Sequence, residues 1–434
     1  VIGEARLRRA GLWAAVLATV AIPFAVLAAA IALGVNVPYA DEFAYQGFLY
    51  RAYLHELTLG DLWRYQNSEH RIFVNTLVFW LLAQWGGWDV VREQCFSVAT
   101  LVATQLALWR IVLRTVAASY AIPALLAVSV ALYDLAQADN LAWGFQMAWY
   151  VADAALVAAV MLLTHAADGP RRFAAAVAVA ALGSLTMTQG LLIWPVGLAC
   201  LLVLGAPRRR AVAWSIAGVA VSAIVRIGIR PAPTVPHTAG AQQALDVVHY
   251  ALAYLGAPLA ESFGPSPATA AGALALAVLG ALLAADLRAP DRRARIARRS
   301  AWYAIAAYAL AAALLTAYGR VGYGVDQAIS GRYVTLSALF EVGILGALAT
   351  FAPFPLPRAR ALALGLAAAI VLCLLQQSVA GARTWRTIAA QRHADFDALA
   401  RGDASGAADL WPDPRLLNEL LLEMEEARTG IFAR

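Results

Sequence analysis

The sequence predicts an all-α fold, a polytopic bundle of transmembrane helices. Three observations carry this prediction. First, 62% of the 434 residues are hydrophobic and only 14% are charged, against about 45–50% and about 25% in soluble domains. Second, apolar runs near the roughly 20 residues that a membrane-crossing helix needs recur along most of the chain. Third, the 33 basic residues are all Arg, and their clusters between runs orient the spans, because cytoplasmic loops hold the basic excess.

Taken in order, the first expected span is 12–33, too long an apolar run for a cleaved signal peptide. A long loop over 34–91 follows. Further spans are expected near 92–113, 118–136, 147–165, 173–189, 190–206, 211–227, 268–286, 301–318, 333–352 and 360–380, about eleven in all. The clusters Arg6/Arg8/Arg9, Arg110/Arg114, Arg171/Arg172, Arg208–Arg210, Arg288–Arg299 and Arg358/Arg360 then alternate correctly. The N-terminus is cytoplasmic and the C-terminus lies outside. Counting the apolar stretch Ile72–Trp85 as a further span would invert every later cluster. It is therefore expected as a helix in the outer interface, with Trp80, Trp85 and Trp88 as belt anchors. Residues 244–257 take the same reading. The chain divides into a membrane module over 1–380 and a short extracytoplasmic helical tail over 381–434. That tail is too small for an independent catalytic domain. Its PRLLNELLLEMEEAR stretch predicts an amphipathic helix with Leu416, Leu417, Leu420, Leu421 and Met424 on one stripe.

Composition excludes several classes. The net charge of +6 is spread over short clusters between spans, so it is no nucleic-acid footprint. Cys95, Cys200 and Cys373 fall in hydrophobic stretches and indicate neither a disulfide framework nor a metal site. No Walker, GxGxxG, HExxH or CxxC pattern occurs in usable context. No cofactor is specified by the sequence; a divalent metal stays open, with no ligand spacing to support it.

Polar chemistry concentrates in the first loop, Tyr39–Arg71, and in three later outer stretches: Asp134–Gln146, Arg226–Gly264 and Tyr318–Tyr333. Asp41 and Glu42 open the loop just after the first span. A carboxylate there could take the proton of an attacking hydroxyl; the competing reading is two solvated acids paired with Arg51. Glu69, His70 and Arg71 follow, with His70 and Arg71 suited to a phosphate or to snorkelling among headgroups. Trp143 and Gln146 stand at the outer start of a span that also holds Asp153, an intramembrane acid of the kind that faces a bundle interior. The Trp143 and Phe145 rings suit the face of a sugar, while Trp143 and Trp149 also read as membrane-belt residues. Arg320 and Arg332, the latter beside Tyr333, flank a Gly-rich loop and could stabilise charge on a departing phosphate.

This pattern resembles the GT-C superfamily of membrane glycosyltransferases. The resemblance rests on the early acidic pair Asp41–Glu42, amphipathic helices in a long first outer loop, about eleven spans, and the NSEHRI (Asn67–Ile72) and SGRY (Ser330–Tyr333) stretches. It implies an inverting transfer from a polyprenyl-phosphate sugar to a lipid, glycan or protein acceptor, with Asp41 as catalytic acid–base residue and Glu42 beside it. The setting would be the extracytoplasmic face of a bacterial cytoplasmic membrane, with membrane lipids and no nucleic acid as partners. The chain lacks the His/Lys-Pro-Pro-Leu stretch and the large soluble C-terminal domain of better-known members, and the second difference argues against an oligosaccharyltransferase. The alternatives are a transporter or flippase of lipid-linked sugars, and a membrane acyltransferase or polymerase acting on them. A transporter would be expected to show paired repeats and interrupted helices near the midplane, and neither is apparent.

Overall fold

A computed structural model describes residues 2–85, 87–164, 169–230, 239–351, 357–407, 409–411 and 413–432. Side chains of residues 1–12, including the Arg6/Arg8/Arg9 cluster, and residues 231–238 of the Arg226–Gly264 stretch lie outside this description. The fold is an all-α bundle. Helix α1 spans Ile2–Leu33. The first loop carries α2 (Gln46–Tyr53), α3 (Leu59–Arg64), a two-residue hairpin of β1 (Gln66–Asn67) and β2 (His70–Arg71), and α4 (Phe73–Ala83). Then come α5 (Val90–Thr115), α6 (Ala118–Leu132), α7 (Ala138–Leu141), α8 (Met147–Leu163), α9 (Pro170–Ser184), α10 (Ile193–Val203) and α11 (Arg208–Arg226). The chain continues through α12 (Gly240–Ala260), α13 (Pro265–Arg288), α14 (Arg292–Arg320), α15 (Gly331–Phe351), α16 (Pro357–Ala400) and α17 (Pro414–Ala427).

Among the described residues, eight helical stretches are long and apolar enough to cross a membrane: Trp13–Leu33, Val90–Thr115, Ala118–Leu141, Gly144–Leu163, Pro265–Arg288, Arg292–Tyr323, Gly331–Phe351 and Pro357–Ala400. Their burial sorts them into layers. The apolar window of α15 is 94% buried, whereas those of α1 and α16 are 17% buried. α15 is therefore the axis of the bundle, and α1 and α16 present most of their apolar side chains outward, as lipid-facing helices do.

Three expected spans, 173–189, 190–206 and 211–227, are not among these eight; the last forms the 19-residue α11, which opens on Arg208, Arg209 and Arg210. The apolar run over 173–206 divides at a tight turn, Thr188–Leu192, into α9 with 15 residues and α10 with 11. Each is short of the roughly 20 residues needed to cross. α4, with 11 residues, reaches about 16 Å at 1.5 Å per residue, too little to cross the ~30 Å hydrocarbon core. The stretch 244–257 belongs to α12, whose Tyr250, Tyr254, Leu255 and Ala257 are buried in the bundle, a deeper setting than a surface helix would have. Trp85 is exposed as a belt anchor would be, but Trp88 is fully buried and donates its indole N–H to Glu93 (2.9 Å). The expected belt role does not fit Trp88, because a buried indole needs a protein acceptor.

A second apolar core lies beside the bundle core. It joins Phe43, Tyr45, Phe48, Leu62 and Phe79 of the first loop to Leu399, Leu410, Leu417 and Met424 of the C-terminal segment. α16 makes this possible. Its 44 residues extend about 66 Å at 1.5 Å per residue, well past a ~30 Å hydrocarbon layer. It passes residue 380 without a break and carries the chain into the first-loop layer. Gly381 permits close approach there, since a Cβ would meet the Leu135 carbonyl. The amphipathic helix is present as α17, capped by Asp413 accepting from the Arg415 N–H (2.9 Å). Leu417 and Met424 are buried and Leu416 is exposed, so the stripe runs through 417, 420, 421 and 424.

Candidate functional site

Glu42 and Asp41 are neighbours in sequence with different environments. Tyr39 precedes a short 3-10 turn, Ala40–Tyr45, and Glu42 folds back to accept the Tyr39 backbone N–H (2.8 Å). Its other oxygen accepts the Phe145 N–H (2.8 Å). Glu42 is fully buried, and burial pushes its carboxyl up to about 7, against the pull of those two N–H groups and of the Arg392 charge. Asp41 is exposed and accepts from Asn67 Nδ2 (3.0 Å). Arg51 pairs with neither acid; it meets Asp61 at 2.9 Å. The expectation of an Arg51 partnership is corrected accordingly.

The turn that Glu42 grips, Trp143–Gln146, forms one wall of a cavity of about 230 Å³. Its lining is Tyr39, Asp139, Ala142, Trp143, Ser330, Arg332, Ile388 and Arg392. Four separate segments thus converge: the first loop, the 139–143 turn, the 330–332 loop and α16. The Trp143 indole donates to the Tyr39 carbonyl (3.1 Å), and the two rings meet edge to face with centroids 5.1 Å apart. Asn140 ties the neighbouring turn to the start of α15 by donating to the Arg332 carbonyl (2.8 Å) and to Thr335 Oγ1 (2.7 Å). Arg392 lies over the Tyr39 ring at 3.7 Å and pairs with Asp395 at 3.1 Å. Two guanidinium groups, one carboxylate, one hydroxyl and two aromatic rings therefore face a single space.

The other sequence-derived residues do not line this cavity. Tyr333 is buried, its ring packed against Trp149 (5.8 Å) and Tyr254 (5.4 Å). Gln146 is buried and accepts from the Trp149 indole, so Trp149 is an interior residue and not a belt anchor. Arg71 is buried: its guanidinium donates to the Trp63 and Ile227 carbonyls at 2.5 Å each and lies 5.0 Å from the Trp63 ring. Those contacts join the hairpin to α3 and to the end of α11.

Glu69, His70 and Arg320 form a second polar group. Arg320 Nη2 meets Glu69 Oε1 at 3.2 Å, and the same oxygen is 3.6 Å from His70 Nε2. His70 Nδ1 lies 3.2 Å from the Thr188 backbone N and 2.8 Å from its Oγ1, which orients the ring with Nε2 toward Glu69. Burial lowers the His70 pKa, Glu69 opposes that, and Arg320 adds to it. Glu69 is held below its ordinary range: partial burial would raise it, but His70, Ser68 and Arg320 outweigh that.

Sequence reasoning identified Trp143 and Arg332 as site residues and left out Asp139, Ser330, Ile388 and Arg392 as individuals. Asp139 and Ser330 lie inside stretches already marked as polar. Arg392 had no such marker, being one of several arginines on a long helix. Among the described residues, no three His, Cys, Asp or Glu side chains converge as metal ligands would. No protein-family model, curated protein or solved structure matches the chain.

Proposed function

We propose that this chain is an inverting glycosyltransferase of GT-C type. It would move a sugar from a polyprenyl-phosphate donor to an acceptor at the outer face of a bacterial cytoplasmic membrane. The observation that carries this reading is the composition of this cavity: Arg332 and Arg392 for an anionic leaving group, and Tyr39 and Trp143 for a sugar ring. Asp41 follows Tyr39 by two residues and is open to solvent.

In this reading an acceptor hydroxyl attacks the anomeric carbon as the bond to the phosphate oxygen breaks. The phosphate leaves with the bonding electrons and needs no proton, so one acid–base residue suffices, unlike the two carboxyls of glycoside hydrolysis. Asp41 takes the acceptor proton. Its neighbour Glu42 has both oxygens committed to backbone N–H groups and acts by holding the cavity wall. Charge growing on the leaving phosphate is met by fixed guanidinium groups, the kind of preorganised electrostatics that lowers barriers most.

The test is release of polyprenyl phosphate from polyprenyl-phosphate sugars by the purified chain in detergent, with and without candidate acceptors. The expected result is release that requires an acceptor. Failure with every such donor, under conditions where the protein remains folded, overturns the reading.

A further inference from the structure

Away from the cavity, the bundle interior holds a set of polar side chains without partners. Asp153 is the tenth of the 20 residues in the Gly144–Leu163 stretch, and Tyr308 the seventeenth of the 32 in Arg292–Tyr323. Both therefore lie midway along membrane-length helices. Tyr150 comes three residues before Asp153 and shares its face of α8, while Tyr254 comes from α12. The Asp153 charge acts on the hydroxyls of Tyr150, Tyr254 and Tyr308. All four side chains are at most 1% exposed. Both Asp153 carboxylate oxygens and all three hydroxyls lack a hydrogen-bond partner in the protein. Among the described residues, no cation acts on Asp153.

An unpaired carboxylate is costly in a low-dielectric interior. Native structures leave few buried polar atoms unsatisfied unless water or an ion completes them. Here five oxygens and one negative charge converge, with no nitrogen or sulfur ligand, and oxygen ligands suit hard cations. A divalent ion would leave one unbalanced positive charge in the bundle. A proton on Asp153 would bridge to one further oxygen and leave the rest unpaired. We propose that Asp153, Tyr150, Tyr254 and Tyr308 form a binding site for a dehydrated monovalent alkali cation in the bundle interior. None of the four lines the outer cavity, and the site does not depend on glycosyl transfer. Thr316 Oγ1 lies beside the Tyr254 hydroxyl and accepts from Gln189 Nε2 (3.3 Å). Gln189 Oε1 is also buried without a partner, and Gln189 belongs to the Thr188–Leu192 turn that divides α9 from α10. Interrupted helices are where membrane proteins present oxygens to coupling ions. Thr188 of the same turn contacts His70 of the first loop, so Gln189 offers the next oxygen between the site and the outer loop.

The experiment is thermal unfolding of the full chain in detergent, titrated with sodium or potassium chloride, with choline chloride making up a constant ionic strength. The parental midpoint should rise with the concentration of at least one alkali ion, as it does for any ligand that only the folded state binds. Asp153→Asn, which keeps the volume and removes the charge, should abolish the response. Tyr308→Phe removes one oxygen and keeps the ring. It should move the response to about 10- to 100-fold higher concentration, the usual cost of altering a group around a metal ion. A parental midpoint indifferent to exchange of choline for sodium and for potassium overturns the proposal and leaves Asp153 to be neutralised by a proton. A response carried unchanged into Asp153→Asn overturns it too, because the ion then binds elsewhere. Where Asp153→Asn fails to fold, an unchanged response in Tyr308→Phe has the same force. Each of these outcomes leaves the glycosyl-transfer reading standing.

Discussion

The Glu42 carboxylate accepts the backbone N–H of Phe145 at 2.8 Å, across 103 residues of sequence. With the second bond, to the Tyr39 N–H, one buried side chain clasps both aromatic walls of the cavity, Tyr39 and Trp143. The Glu93 carboxyl lies on the other side of the same turn: a Cβ on Gly144 would meet Glu93 Oε2 and Glu42 Oε1 together. Two carboxyls thus share one enclosure, and the Arg392 charge acts on Glu42.

This arrangement predicts a pH-dependent stability. The Glu42 pKa is raised from 4.5 to about 7 when folded, so between these values the folded chain binds more proton than the unfolded one. Stability is fully present below about pH 4.5 and is lost as pH rises through about 7, by up to about 3 kcal/mol. The thermal midpoint in detergent should therefore fall between pH 5 and pH 8. Glu42→Gln should flatten that slope. It should also lower the midpoint at pH 5, since the amide leaves one buried N–H without an acceptor, at about 1–3 kcal/mol. A midpoint independent of pH in the parent chain would remove Glu42 from this role.

Gly144→Ala tests the same enclosure without altering charge. The added methyl must displace one of two buried carboxyls, and overpacking of this kind costs about 1–3 kcal/mol. The expected outcome is a lowered thermal midpoint and weaker binding of any cavity ligand, measured together. A midpoint equal to the parent's would mean that the turn moves freely away from Glu93.

These contacts show what was legible in the sequence. The membrane bundle was, because apolar composition and arginine spacing act locally. Trp143 and Arg332, which line the cavity, had been singled out, because aromatic and cationic side chains at the ends of apolar runs stand out against an Ala- and Leu-rich background. Glu42 was singled out beside Asp41, but its clasp on the Tyr39 and Phe145 N–H groups was not legible, since its partners are backbone N–H groups, and every residue except proline carries one. Arg392 was not, since it becomes part of the cavity only because α16 runs far past the membrane thickness to reach Tyr39. The run over 173–206 was misleading for a related reason: hydropathy registers apolar length and does not register the turn at Thr188–Leu192.

Asp41→Asn should separate chemistry from structure. The side chain is exposed and bonds only Asn67 among the described contacts, so the thermal midpoint should stay within a degree or two. Glycosyl transfer should fall about 10²- to 10⁴-fold, the usual worth of a general base. Glu42→Gln, by contrast, should lower the midpoint and transfer together. If Asp41→Asn transfers sugar at the parental rate, the base lies elsewhere, and Asp139 on the cavity wall becomes the residue to measure.

Arg332 and Arg320 should differ sharply, although both flank the same Gly-rich loop. Arg332 lines the cavity, and Arg332→Ala should cost about 10²–10³ in transfer rate, as loss of one strong electrostatic contact does. Arg320 is paired with Glu69 at 3.2 Å, so Arg320→Ala should cost far less. Its measurable effect should fall on His70. Arg320 depresses the His70 pKa and Glu69 raises it, so Arg320→Ala should move the pKa up and Glu69→Gln should move it down. Histidine-labelled NMR titrations of the two variants would read both shifts. Opposite signs are the outcome required by a ring whose Nε2 faces Glu69 and whose Nδ1 is fixed by the Thr188 N–H. Shifts in the same direction, or none, would mean that His70 is not coupled to this pair, and an equal loss of transfer in the two arginine variants would move Arg320 into the site.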